Sequence, residues 1–423
     1  MQHTDNPKSF YGLGIAPALL QILENLKYTT PTPIQHQAIP VAIEGKDVIG
    51  VAQTGTGKTL AFGIPMLQTI SQTKGRGLVV LPTRELALQV EDVLHKIGKS
   101  FGLRTAVLIG GASMGPQIGS LKRDPHVIVA TPGRLNDHLQ QKTVSLDRVS
   151  ILVLDEADRM LDMGFLPQIQ KILNFLPKER QTMLFSATLP PSIMRIATHH
   201  MKLPLHIEIS PSGTAAEGVM QEIFIVRKDS KMRLFEKILN DYKGSVLVFT
   251  RTKYAASRIA KAVRAMGHTA AEIHSNRSLG QRKDALAGFK RGNYRVLVAT
   301  DIAARGIDVQ NIELVLNYDL PSHSDDYVHR IGRTGRAGAD GHAISFALPE
   351  ERSEVRSIER LIRKNLNISQ LPELPPESQK LSEHLYKESQ RPRQDFGQRR
   401  PGRPGGYQGQ RSFNRGPRRS GHR

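Results

Sequence analysis

The chain has no cysteine in 423 residues. That excludes disulfides, thiolate metal sites and cysteine nucleophiles, and is compatible with a cytoplasmic, reducing location. It also lacks any apolar run of about eighteen residues, the length a membrane-crossing helix needs, so no membrane span is expected. Met1-Gln2-His3-Thr4-Asp5 has no basic stretch leading into an apolar core, so no signal peptide is expected. Acidic residues are scarce: 39 Asp and Glu face 59 Lys and Arg, for a net charge of +20. Such an excess favours anionic partners, nucleic acid ahead of an anionic membrane surface. The length allows two or three domains with real cores.

Residues 1–208 alternate β-rich runs with helical patterns. Candidate strands are Val48–Ala52, Leu78–Leu81, Thr105–Ile109, Val127–Ala130, Ile151–Leu154 and Thr182–Ser186. Helical spacing of apolar residues falls between several of them, as at Glu85–Lys99. The pattern predicts an α/β fold with a parallel sheet covered on both faces. Residues 209–219 read as a flexible linker. A second α/β series fills 220–370, with strands at Ile223–Val226, Ser245–Thr250, Thr269–Ile273, Arg295–Ala299, Leu314–Tyr318 and His342–Ala347. Residues 371–423 lose this pattern and read as a low-complexity basic tail.

Ala52-Gln53-Thr54-Gly55-Thr56-Gly57-Lys58-Thr59 has the form of a phosphate loop, with Ala52 at the first glycine position. Such a loop turns backbone N–H groups toward phosphate oxygens. Lys58 can reach the outer phosphates, and the Thr59 hydroxyl can ligate Mg²⁺. Asp155-Glu156-Ala157-Asp158 follows the apolar run Ile151–Leu154. Asp155 suits a Mg²⁺ anchor, and Glu156 is placed to deprotonate water. Together the two motifs predict hydrolysis of a nucleoside triphosphate. The second half has no phosphate loop, so the nucleotide is expected between the halves. Arg330, Arg333 and Arg336 lie among glycines and suit phosphate forks, one form of which is an arginine finger. The amide of Gln35 can read adenine, with Tyr28 stacked on the ring. Pro82-Thr83-Arg84, Gly110-Gly111 and Thr131-Pro132-Gly133-Arg134 each follow a candidate strand. They mark the sheet face where ligands bind in open α/β folds.

These residues closely resemble the DEAD-box family of ATP-dependent RNA helicases, in family order, over about residues 10–365. The resemblance implies two tandem RecA-like domains, ATP and Mg²⁺ as cofactors, and RNA-stimulated ATP hydrolysis. That hydrolysis would unwind short duplexes and remodel RNA–protein complexes. Phe10 sits at the family's upstream aromatic, which implies a nucleotide contact, and Tyr28 with Thr30–Gln35 resembles the adenine-reading Q motif. Thr54, Gly55, Thr56, Gly57, Lys58 and Thr59 correspond to the ATP-binding loop, and Asp158, Ser186, Thr188 and His329 to the coupling positions. Pro82-Thr83-Arg84, Gly110-Gly111 and Thr131–Arg134 resemble the RNA-gripping motifs of the first domain, and Thr250 and Arg251, which resemble motif IV, are implied as RNA contacts of the second. Thr300, Arg305 and Asp308 fall in motif V, the first two on the RNA face and Asp308 at the ribose. Arg333 and Arg336 take the finger positions. The family's Gln-x-x-Arg element has Leu279 in place of Gln, which puts one RNA contact in doubt or shifts it to Gln281. The wording of Asp301–Asp308 looks most like the bacterial RhlE-type subgroup.

The expected partner is RNA of low sequence specificity, with ribosomal particles or RNA-decay proteins as further candidates and a monomer as the resting form. An RNA clamp and a DNA translocase are the rival readings. Residues 391–423 carry ten Arg against one Asp, with Phe396, Tyr407 and Phe413 interspersed. That composition fits an RNA tether.

Overall fold

The computed structural model describes residues 9–53, 55–209, 219–304, 312–335, 341–374 and 376. The expectations for Thr54, Arg305, Asp308, Arg336, nearly all of the linker, and the tail beyond 376 therefore lie outside the described residues.

Two seven-stranded sheets follow one another, and every strand pairing is parallel. The first holds β1 (Val48–Val51), β2 (Arg76–Val80), β3 (Thr105–Leu108), β4 (Val127–Ala130), β5 (Val149–Leu154), β6 (Gln181–Ser186) and β7 (Leu205–Glu208). Their order is β3-β4-β2-β5-β6-β1-β7. The second holds β8 (Val219–Ile225), β9 (Val246–Thr250), β10 (Ala270–Ile273), β11 (Val296–Thr300), β12 (Leu314–Asn317), β13 (Gly341–Ala347) and β14 (Asn367–Ser369). Its order, β10-β11-β9-β12-β13-β8-β14, repeats the first position by position. The two halves are thus one architecture used twice, as the RecA-like expectation required.

Both faces of each sheet are covered. In β5, Ile151 and Val153 enter one core while Leu152 and Leu154 enter the other. In β9, Leu247 and Phe249 oppose Val246 and Val248 in the same way. A strand buried on both sides needs an apolar residue at every position, which is why these runs were conspicuous.

The strands β7 and β14 were not expected. Each is the last strand of its sheet and lies at its edge, exposed at most positions. With one neighbour and little core contact, Leu-His-Ile-Glu and Asn-Ile-Ser carry no apolar run to detect. The residues at the two ends of the expected linker belong to the sheets. Ile209 N–H donates to Val51 O at 3.2 Å, and Val219 opens β8.

Candidate active site

Parallel strands put all their C-terminal ends on one side, so each expected motif arrives at a common face. The phosphate loop leaves β1 and enters the fifteen-residue helix Lys58–Gln72. Gly55 and Gly57 have φ of 90° and 85°, a region open to glycine at no steric cost. A Cβ at Gly57 would also overlap the Gln35 amide. Ala52 keeps a negative φ and is buried, so alanine fits the first glycine position. Lys58 is buried, and its Nζ donates to Ala52 O at 2.9 Å. The ammonium is folded back under the loop, which leaves the helix N-terminus facing the anion site.

Gln35 is buried beneath this loop. Its Nε2 donates to Gly57 O at 2.9 Å, and its Oε1 accepts from Thr32 N–H, also at 2.9 Å. Thr32 Oγ1 donates to Thr56 O at 2.7 Å. The expected adenine reader is therefore first a brace for the phosphate loop. An amide has two hydrogens and two lone pairs, so one donor and one acceptor site remain for a base. Tyr28 is half-buried against the first core. Phe10 departs from its expected nucleotide contact. It is 4% exposed inside that core, with no ring face open.

Asp155 and Glu156 follow β5 and are both buried. Burial pushes the Asp155 carboxyl up to about 6, opposed by the nearby Lys58 charge and reinforced by Glu156. Glu156 has φ 51°, an uncommon left-handed conformation for a side-chain-bearing residue. Such local strain gathers at functional sites. Glu156 Oε2 accepts from Arg159 Nη1 at 3.1 Å, both groups being almost fully enclosed. Asp158 holds the chain after β6. Its Oδ2 accepts from Ala187 N–H at 3.0 Å, Thr188 N–H at 2.8 Å and Thr188 Oγ1 at 3.1 Å. Ser186 Oγ accepts from Asp158 N–H at 3.1 Å.

Arg159 lines a small, narrow gap together with Phe249, Asp301, Asp326, His329, Arg330 and Arg333. The two sheets thus bring the Asp155–Asp158 turn and the His329–Arg333 segment together. Arg330 departs from the expected phosphate fork. Its Nε and Nη2 donate to Asp301 at 2.6 and 2.8 Å, and its Nη1 donates to Asn317 Oδ1 at 3.1 Å and Asp319 O at 2.7 Å. Its guanidinium stacks over Phe249. Arg330 is a brace, while Arg333 is buried at the seam. Arg159 and Asp301 were not singled out from the sequence. Arg159 had one signal, its place three residues after Glu156 on a short helix.

On the RNA-facing expectations the structure divides. Pro82, Thr83, Thr131 and Pro132 are buried and shape the strand ends, Thr83 by capping the helix Arg84–Gly98. Arg84, Gly110, Gly111, Gly133, Arg134, Arg251 and Thr300 keep exposed surface. The Arg84 guanidinium lies over Gly110-Gly111, so closely that a Cβ at Gly111 would collide with it. Arg134 Nη1 donates to Ala112 O at 2.9 Å, tying this loop to its own helix. Thr250 departs from the expected RNA contact. It is 0% exposed, and its hydroxyl donates to Thr252 O at 3.2 Å. Gln281, exposed, is a helix-capping residue. It closes a capping box with Ser278, its Oε1 accepting from Ser278 N–H at 3.0 Å. Leu279 packs against the core of the first domain, and Arg282 Nη2 meets Glu85 Oε2 at 2.9 Å. This element bridges the two domains.

Residues 32–196 match the family model of the DEAD/DEAH box helicase, and residues 230–338 that of the helicase conserved C-terminal domain. A DEAD-box ATP-dependent RNA helicase CshA of Bacillus cereus is 42% identical over 369 residues, spanning 86% of this chain and 70% of that protein. This chain belongs to the DEAD-box family of ATP-dependent RNA helicases. Other relatives of the helicase are the ATP-dependent rRNA helicase RRP3 of Candida albicans and the ATP-dependent RNA helicase DbpA of Bacillus subtilis. RRP3 is 44% identical over 85% of this chain and 68% of its own length. DbpA is 41% identical over 90% of this chain and 81% of its own length. Among solved structures, S. cerevisiae Dbp5 bound to RNA and ADP BeF3 has a TM-score of 0.78 at 30% identity, covering 86% of this chain and 96% of that one. A point variant of Dbp5 gives 0.78 with RNA and ADP BeF3 but 0.69 with a Gle1 variant and IP6, at 90% coverage of this chain each time.

Proposed function

We propose that this helicase separates short RNA duplexes and remodels RNA–protein complexes, driven by ATP hydrolysis at the seam between its domains. The observation that carries this reading is the narrow gap shared by Arg159 of the first domain and His329 and Arg333 of the second. Hydrolysis then requires closure, and closure is what ATP and RNA each stabilise, so their affinities are reciprocally coupled.

The residues have these roles. The loop Thr54–Gly57 and the start of the helix Lys58–Gln72 bind the phosphates, and Lys58 neutralises their charge. Gln35 and Tyr28 select adenine, with Asp308 at the ribose. Glu156 takes the proton of the attacking water, and Arg159 holds its carboxylate. Arg333 and Arg336 complete the site from the second domain. Asp155 and the Thr59 hydroxyl are hard oxygen donors, one a buried carboxylate, and they fit Mg²⁺. When bound, Mg²⁺ supplies charge neutralisation at the phosphates. Arg84, Gly110, Gly111, Gly133, Arg134, Arg251, Thr300 and Arg305 grip the RNA backbone, so base specificity is low. Asp158, Ser186, Thr188 and His329 carry closure to the hydrolytic groups.

The proposed units are residues 1–208, the linker 209–219, residues 220–370, and the tail 371–423 as an RNA tether. The protein acts as a cytoplasmic monomer of the RhlE-type subgroup, on ribosomal particles or with RNA-decay proteins. Support for the subgroup is the compact core, the wording of Asp301–Asp308 and the short basic tail. The test is Glu156→Gln, which keeps size and removes basicity. RNA-stimulated turnover should fall roughly 10²–10⁴-fold with ATP binding retained. Strand displacement should fall with it, while bound RNA is held longer. Near wild-type hydrolysis by this variant would remove Glu156 from the role of base.

A further inference from the structure

We propose that the exposed face of the helix Arg352–Ile362 is a docking ridge for RNA flanking the cleft, gripping the strand by its phosphates. Arg352, Arg356 and Arg360 are exposed and recur every fourth residue, a rise of about 6 Å per step along one side of the helix. Arg363 and Lys364 extend the row past the last turn and are also exposed. The opposite side, Val355, Ile358 and Ile362, is buried in a core of the second domain.

Helix stability does not account for this row. Like charges four apart repel, and a cation at the first helical residue, Arg352, opposes the helix dipole. Only the C-terminal cations complement it. The helix's own carboxylates make hydrogen bonds of their own, and Glu359 borders the same hollow as the row. Glu354 accepts from Ser353 Oγ at 2.8 Å, and Glu359 Oε1 accepts from Leu366 N–H at 3.0 Å, closing the C-terminal turn. Arg360 is propped by Arg356 O and Ser357 Oγ, at 3.3 and 3.2 Å, which fixes it without neutralising it. Arg356, Arg360, Arg363 and Lys364, together with Glu359 and Asn365, border an open hollow of about 650 Å³. Four cations against one carboxylate leave this concave surface a positive excess, which suits a phosphodiester chain.

Its position gives the ridge a direction. Glu351, directly before Arg352, accepts from Arg251 Nη2 at 3.0 Å. In the reading proposed above, on which this inference rests, Arg251 belongs to the RNA face of the second domain, so the ridge starts at that face. A strand leaving the cleft beside Arg251 meets Arg352, Arg356 and Arg360 in turn.

The test replaces all three with glutamine (Arg352→Gln, Arg356→Gln, Arg360→Gln) in the full chain, which removes charge and keeps good helix formers. RNA affinity is measured, with a non-hydrolysable ATP analogue, on a short strand that only fills the cleft and on strands extended at either end. The short strand should bind unchanged, which also reports an intact fold. One extended strand should lose roughly tenfold in affinity at low salt, and its salt slope should fall by about 2, at ~0.7 per lost single-strand contact. Maximal ATPase at saturating RNA should not change. The tail is present in both proteins and cancels from the comparison. Equal affinity and slope on both extended strands would overturn the proposal and leave the ridge to an acidic protein surface or to solubility. An equal loss on the short strand would overturn it too, by placing these arginines in the cleft.

Discussion

Asp155 is the most costly side chain of the site. Its folded value of about 6 lies above the ordinary carboxylate value because burial disfavours the charge. As pH rises from about 4 to about 6, the unfolded chain has already released this proton and the folded chain still holds it. Stability contributed by the group therefore falls through that window, and the deficit is complete above it. Its size is on the order of 2–3 kcal/mol at most. Asp155→Asn keeps the acceptor for Glu156 N–H and removes the charge. The ligand-free variant should melt above wild type at pH 7.5, and the gap should close as pH falls toward 4. A gap independent of pH, read from melting curves, would deny that buried charge is the cause. The same variant should lose ATP hydrolysis, since stability and function pull this residue in opposite directions.

At the scale of elements, the glycine pair after β3 and the helix after β2 form one device. Arg84 opens the helix Arg84–Gly98, and its guanidinium lies over Gly110-Gly111 because no side chain stands there. Gly111 also has φ 71°. Gly111→Ala therefore meets both a strained backbone and a collision, and Arg84 must move. RNA affinity should fall roughly tenfold, about one charge-assisted contact, while ATP affinity measured without RNA stays the same. An unchanged RNA affinity would mean that Arg84 does not depend on this seat. The sequence showed both pieces as turns after strands. That they share one seat depends on β3 and β2 both flanking β4, which spacing along the chain does not reveal.

For the whole molecule, the contact between Glu85 and Arg282 is the clearest latch. Both side chains are nearly buried where the domains meet, and Leu279 packs beside them on the first core. Removing one partner leaves the other as an enclosed, unpaired charge, which penalises the closed state. Glu85→Ala and Arg282→Ala should each weaken RNA binding in the presence of an ATP analogue, and the double variant should be little worse than either. The cycle should return a coupling of about 1–3 kcal/mol. Strictly additive losses would separate the two residues. Leu279, which looked like a defect in an RNA contact, takes an apolar part in the seam instead.

Much of this protein was set by local sequence. Twelve of the strands were visible because a strand covered on both faces needs apolar residues at every position, as in Ile-Leu-Val-Leu at 151–154. The phosphate loop and the Asp-Glu-Ala-Asp turn were visible because their chemistry needs neighbours in sequence. Edge strands β7 and β14 were not, since one-sided pairing imposes no such pattern. Tertiary structure alone decided which polar groups face a ligand and which brace the frame. Arg330 and Arg333 sit three residues apart in a glycine-rich run, yet Arg330 is held by Asp301, Asn317 and Asp319. Gln35 and Thr32 brace a loop more than twenty residues away, and Arg282 meets Glu85 across the seam. The physical reason is the same in each case. A buried polar atom must find a partner, and partners distant in sequence become neighbours only once the sheets have formed.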